Sequence, residues 1–135
     1  MASVWIDGTW FAKDEAKISV YDHGLLYGDG LFEGIRMYGG RIFMLESHLD
    51  RLFDGARAIS LQIPYTREEL SLMLEEGVRR EKRDDGYIRL IVTRGKGDLG
   101  INPKTCPRAT VIAIIDSISL YPSEYYEKGI DIVTA

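Results

Sequence analysis

The chain has 135 residues, 45% of them hydrophobic and 28% charged, which suits one globular domain able to bury a core without disulfides or a structural metal. Seventeen basic residues against 21 acidic ones give a net charge of -4, spread without long runs, and this argues against nucleic acid as a partner. No apolar stretch approaches the ~18 residues of a membrane span, and the single cysteine, Cys106, cannot form an internal bridge, so the expectation is a soluble protein of the reducing cytoplasm with no membrane partner.

In chain order, residues 4–6 and 10–12 flank Asp7-Gly8 and predict a hairpin, and residues 18–21 read as a third short strand. A glycine-rich passage over residues 23–30 follows. Residues 31–38 and 41–44 then flank Gly39-Gly40 as a second hairpin. Leu49, Leu52, Phe53, Ala56 and Ile59 fall on one helical face and predict a helix over residues 48–59 with Ser47 as N-cap. Thr66 and Glu69 form a capping box, Tyr65 and Leu70 can staple it, and Leu70, Met73, Leu74, Gly77 and Val78 carry an apolar stripe to about Lys82. Residues 87–94 read as a strand, residues 109–115 as a buried one, and residues 130–134 begin another. Strands, then two helices, then strands predict an α+β domain with a mostly antiparallel sheet and two main helices on one face. The stop inside an apolar strand suggests a longer parent with a second domain, whose contact face here would be an apolar patch.

Several motifs compete for the chemistry. Gly95-Lys96-Gly97-Asp98-Leu99-Gly100 matches the dinucleotide fingerprint, with Asp116 at a suitable distance, but Asn102-Pro103 and Cys106-Pro107 forbid the helix that would hold a pyrophosphate. A loop at the end of a strand is the better description. His23, His48 and Cys106 lack metal-ligand spacing, and no serine or cysteine has a neighbouring base. Strand alternation puts Tyr87, Arg89 and Ile91 on one face, and likewise Phe32, Gly34 and Arg36, where the glycine leaves room against the backbone. Guanidinium groups in such places need an anionic partner, either a substrate carboxylate or a neighbouring acid. Arg51 near a helix start could hold a phosphate with the helix dipole; read locally, it is a surface arginine paired with Asp54.

Taken together and in order, Tyr27-Gly28-Asp29-Gly30-Leu31-Phe32-Glu33-Gly34-Ile35-Arg36 with its preceding Tyr21-Asp22-His23-Gly24, then Glu46-Ser47-His48-Leu49-Asp50-Arg51-Leu52, then Gly86-Tyr87-Ile88-Arg89, then residues 95–103 resemble the fold-type IV aminotransferases. The likeness spans almost the whole chain. It implies pyridoxal 5'-phosphate as cofactor, Arg51 as the ligand of its phosphate, and Tyr27, Phe32, Arg36, Tyr87 and Arg89 around the substrate. Phe32 to Arg36 and the loop 97–103 look more like branched-chain enzymes than D-amino acid aminotransferases, whose arginine-x-histidine carboxylate trap is not found. The implied partners are amino acids, 2-oxo acids and a second subunit, with Leu99 and Ile101 reaching the neighbour's site in a homodimer. The cofactor-bearing lysine is expected beyond Ala135, so the second domain lies outside this chain, which by itself is expected to be inactive and to retain no cofactor. Aminodeoxychorismate lyases, D-amino acid or amine aminotransferases, and a binding module without catalysis stand as alternatives.

Overall fold

The computed structural model describes residues 3–118 and 121–134. Strands β1 (Ser3–Ile6) and β2 (Thr9–Ala12) form the opening hairpin, with Asp7 and Gly8 both at positive φ, as a two-residue turn of that hand requires. A one-turn helix α1 (His23–Tyr27) follows, then β3 (Gly30–Tyr38) and a short β4 (Arg41–Ile42). Helices α2 (Leu45–Ala58) and α3 (Arg67–Glu81) lead to β5 (Gly86–Thr93) and β6 (Thr110–Asp116), and a short α4 (Ser123–Lys128) comes last.

The six strands make one antiparallel sheet in the order β2-β1-β6-β5-β3-β4. One face carries Trp5, Ile35, Met37, Ile88, Leu90, Val92, Val111, Ala113 and Ile115, and these pack with Leu49, Leu52, Ala56, Leu70, Met73, Leu74 and Val78 of the two long helices as the core. This is the expected α+β arrangement. The capping box of α3 is formed in both directions between Thr66 and Glu69, and Tyr65 packs against the core. Gly77 is where α3 comes closest to the sheet, since a Cβ there would overlap Ile115 Cδ1 and reach 2.5 Å from Trp10 Cη2.

Three expectations need correction. Residues 18–21 form no strand; Ile18 instead lies beside the open face of the sheet, lining two shallow apolar cavities with Ile91 and Ile112. Helix α2 starts three residues before His48, and Ser47 is not its cap: Met44 holds the N-cap position in the left-handed region with no side-chain bond. Residues 130–134 are exposed and unpaired, and a strand without a hydrogen-bonded neighbour is not a strand. Among the described residues no helix is long and apolar enough to cross a membrane.

Candidate active site

The face of the sheet turned away from the helices carries the expected substrate residues. Register places Phe32 opposite Ile91, Gly34 opposite Arg89 and Arg36 opposite Tyr87, so six side-chain positions from β3 and β5 form one patch. Arg89 lies over the Phe32 ring, 4.0 Å from its centroid, and donates from Nη1 to Tyr87 Oη at 3.2 Å. Tyr87 Oη occupies the space a Cβ on Gly34 would fill. Arg36 stacks 5.4 Å from the Tyr38 centroid, and its Nε is buried with no hydrogen-bond partner. Among the described residues neither Arg36 nor Arg89 has an ion pair. The acid-partner alternative therefore has no support in this face. Beside it an apolar cavity of about 400 Å³ is lined by Ile18, Leu25, Phe32, Ile91 and Ile112.

Tyr27 belongs with the loop and not with these arginines. Its Oη accepts from Gly100 N at 2.6 Å, so it holds the loop on which Leu99 and Ile101 stand 71% and 80% exposed. The loop is anchored further by buried groups. Asp22 caps α1 by accepting from Gly24 N and takes Thr93 Oγ1 at 2.9 Å, while the buried His23 donates from Nε2 to the Asp98 carbonyl at 2.8 Å. Arg94 grips Asp29 with two bonds of 2.9 Å and reaches the carbonyls of Ile59 and Ser60. After the loop comes a 3-10 turn at Pro103–Thr105, not a helix with a free N-terminus for a pyrophosphate. Burial pushes the Cys106 thiol up, which leaves it a poor nucleophile.

Arg51 lies on the helix side of β3, across the sheet from Arg36 and Arg89. Its partner is not Asp54, which pairs with Arg57. Instead Nε donates to Glu33 Oε1 at 2.8 Å and Nη2 to Glu33 Oε2 at 2.6 Å. His48 Nδ1 donates to the same Oε2 at 2.8 Å. Glu33 is 4% exposed; burial alone would raise its carboxyl, but the hydrogen bonds and charges of Arg51 and His48 outweigh that and hold it below the ordinary carboxylate range. The Arg51 side chain is 71% exposed and Nη1 makes no hydrogen bond among the described residues. Sequence reasoning missed Glu33 and His48 as a unit. The signal was there: Leu31, Glu33, Ile35 and Met37 alternate on the core face, and a carboxylate among them must be paired.

The family model for amino-transferase class IV matches residues 30–135. The chain belongs to that family. It is 49% identical over 111 residues to a putative branched-chain-amino-acid aminotransferase of Methanocaldococcus jannaschii, covering 82% of this chain and 38% of that protein. It is 31% identical over 134 residues to a D-alanine aminotransferase of Staphylococcus epidermidis, covering 99% and 48%. Among solved structures, a T.th. branched-chain amino acid aminotransferase complexed with N-(5'-phosphopyridoxyl)-L-glutamate superposes with a TM-score of 0.80 at 35% identity, covering 86% of this chain and 40% of that one. The chain thus spans less than half the length of each of these relatives. A class IV aminotransferase uses pyridoxal phosphate, and the residues present fit one end of it: a guanidinium fixed on one edge by Glu33 and open on the other suits a phosphate. All six lysines are exposed.

Proposed function

We propose that this chain is the N-terminal domain of a transaminase that moves an amino group between branched-chain L-amino acids and 2-oxoglutarate. The observation that carries the reading is the pair Arg36 and Arg89, two cations without acid partners on an apolar sheet face. Carboxylates of the substrates would pair with them, and Phe32, Ile91 and Ile112 would take the aliphatic side chain. Tyr87, braced against Gly34, aims Arg89. β4 pairs only with Met37 and Tyr38 of β3, so no described strand covers the outer edge of β3 at Glu33, and around that edge Arg51 would hold the phosphate of pyridoxal phosphate. When bound, that cofactor supplies the electron sink for breaking the bonds at the amino acid α-carbon. The lysine that carries it would come from sequence following this chain. Leu99 and Ile101 would complete the site of a second subunit.

The test is a substrate panel on the full-length protein with 2-oxoglutarate as acceptor. L-leucine, L-isoleucine and L-valine should turn over and D-alanine should not; a preference for D-alanine overturns the substrate assignment. Residues 1–135 alone, mixed with pyridoxal phosphate and reduced with borohydride, should show no stoichiometric lysine label and no turnover, and finding both would overturn the assignment of the lysine.

A further inference from the structure

We propose that Glu33 is the positioning residue for Arg51, and that it sets the affinity for the phosphate end of the cofactor. This deepens the reading of Arg51 given above and rests on it.

The geometry assigns each edge of the guanidinium. Glu33 takes Nε and one hydrogen of Nη2 through its two oxygens, at 2.8 and 2.6 Å. That leaves Nη1 and the outward hydrogen of Nη2, the other fork of the same planar group, facing solvent. A free arginine on a helix surface samples many rotamers, and an anion binding to it must first freeze them. Here the freezing is done by the fold. Glu33 is fixed in β3 by its register with Leu90 of β5, and His48, one turn before Arg51 on α2, holds Oε2 from a second direction at 2.8 Å. The carboxylate, 4% exposed on the buried face of β3, cannot swing away from both partners without leaving a buried charge unpaired.

Glu33 also works against the anion. Its negative charge, in contact with Arg51, lowers the positive potential that a phosphate would feel. Orientation and charge therefore predict opposite signs when the carboxylate is neutralised. A phosphate dianion needs two parallel donors in a fixed plane, and a guanidinium already held in plane offers them without reorganisation, so orientation is the larger effect.

The experiment measures dissociation constants of pyridoxal phosphate and of pyridoxal, which lacks the phosphate, for the full-length apoprotein and its Glu33→Gln and Arg51→Lys variants, each checked for folding by its thermal midpoint. Both variants should weaken pyridoxal phosphate by roughly tenfold and leave pyridoxal unchanged. Inorganic phosphate should compete less well in both. If Arg51→Lys changes nothing, the phosphate assignment of Arg51 fails, and this inference falls with it. If Arg51→Lys weakens binding and Glu33→Gln does not, the positioning role alone is overturned. Tighter binding in Glu33→Gln means charge outweighs orientation, and equal loss for pyridoxal means a merely structural role; either overturns the proposal. Should Glu33→Gln not fold, Glu33→Asp keeps the charge but shortens the reach, and the same comparison is read from it.

Discussion

A methyl group added at Gly34 should harm the site far more than the scaffold. The residue sits in β3 without a positive φ, so alanine costs no backbone strain. Its Cβ, however, would overlap Tyr87 Oη and lie 3.2 and 3.3 Å from Cζ and Cε2. Ordinary contacts begin at about 3.5 Å, so the phenol end of the ring must retreat by roughly an ångström to clear the overlap at Oη. The Arg89 Nη1 to Tyr87 Oη bond is already 3.2 Å long and does not survive that movement unless Arg89 leaves the Phe32 ring, 4.0 Å away. Losing a half-exposed hydrogen bond and pushing a rotamer off its minimum costs about 1 kcal/mol of stability. Misplacing a carboxylate-binding guanidinium by a similar distance costs roughly a hundredfold in rate, near 2.7 kcal/mol at the barrier. Steady-state kcat/KM for 2-oxoglutarate and urea midpoints, both on the full-length protein, separate the two. An activity within about threefold of the parent, under 1 kcal/mol on that scale, would refute the claim that this face binds substrate.

Two predictions concern the scaffold and its pH response. Gly77→Ala gains about 1 kcal/mol of helix propensity but meets Ile115, fully buried, and Trp10 at 2.5 Å; overpacking of about 1–3 kcal/mol outweighs the gain, and a urea midpoint above the parent's would show that α3 can lift off the sheet. For Glu33, a carboxyl held below its ordinary range contributes stability that is present above the unfolded value and is lost as pH falls through the folded one. The stability difference between the parent and Glu33→Gln should therefore persist at neutrality, where Arg51 keeps its charge, and shrink as pH drops below about 4; urea titrations across that range check it, and a difference that vanishes near pH 7 instead contradicts the buried ion pair.

The strands and α3 were legible because each has a local signature: alternation in β3 and β5, and Thr66 with Glu69 bonded reciprocally in α3. The start of α2 was not, because Met44 turns the chain by adopting a left-handed conformation with no side-chain bond, while Ser47 offered a plausible but unused cap. Apolar character alone misassigned residues 18–21, where Ile18 lies along a sheet face and joins no ladder. In the site, alternation told which side of β3 Arg36 is on and which side of β5 Arg89 is on. That the two sides coincide is a matter of register, Gly34 against Arg89 and Arg36 against Tyr87, and register is set by strand order over the whole sheet. For the Glu33 clamp, alternation signalled a carboxylate on the core face that must be paired, but not its partners, which come from a helix 15 and 18 residues further on.

The two sets of arginines are built differently, and the difference suits what each is proposed to hold. Glu33 and Gly34 are neighbours in β3 whose side-chain positions face opposite sides of the sheet. Through Glu33 the strand fixes Arg51 with an acid partner, which gives orientation at the expense of positive potential. A group that stays through many turnovers, as a cofactor phosphate does, gains from orientation and tolerates reduced charge. Across from Gly34 the strand leaves Arg89 on an aromatic ring and, two residues on, Arg36 with its Nε unpaired. Cations held by π faces and not by carboxylates keep their full attraction for an incoming acid, and exchange it without first breaking an ion pair. Substrate and product must trade places on every cycle, so a site that made the opposite choice, clamping the substrate arginines with acids, would lose binding to competition from its own side chains.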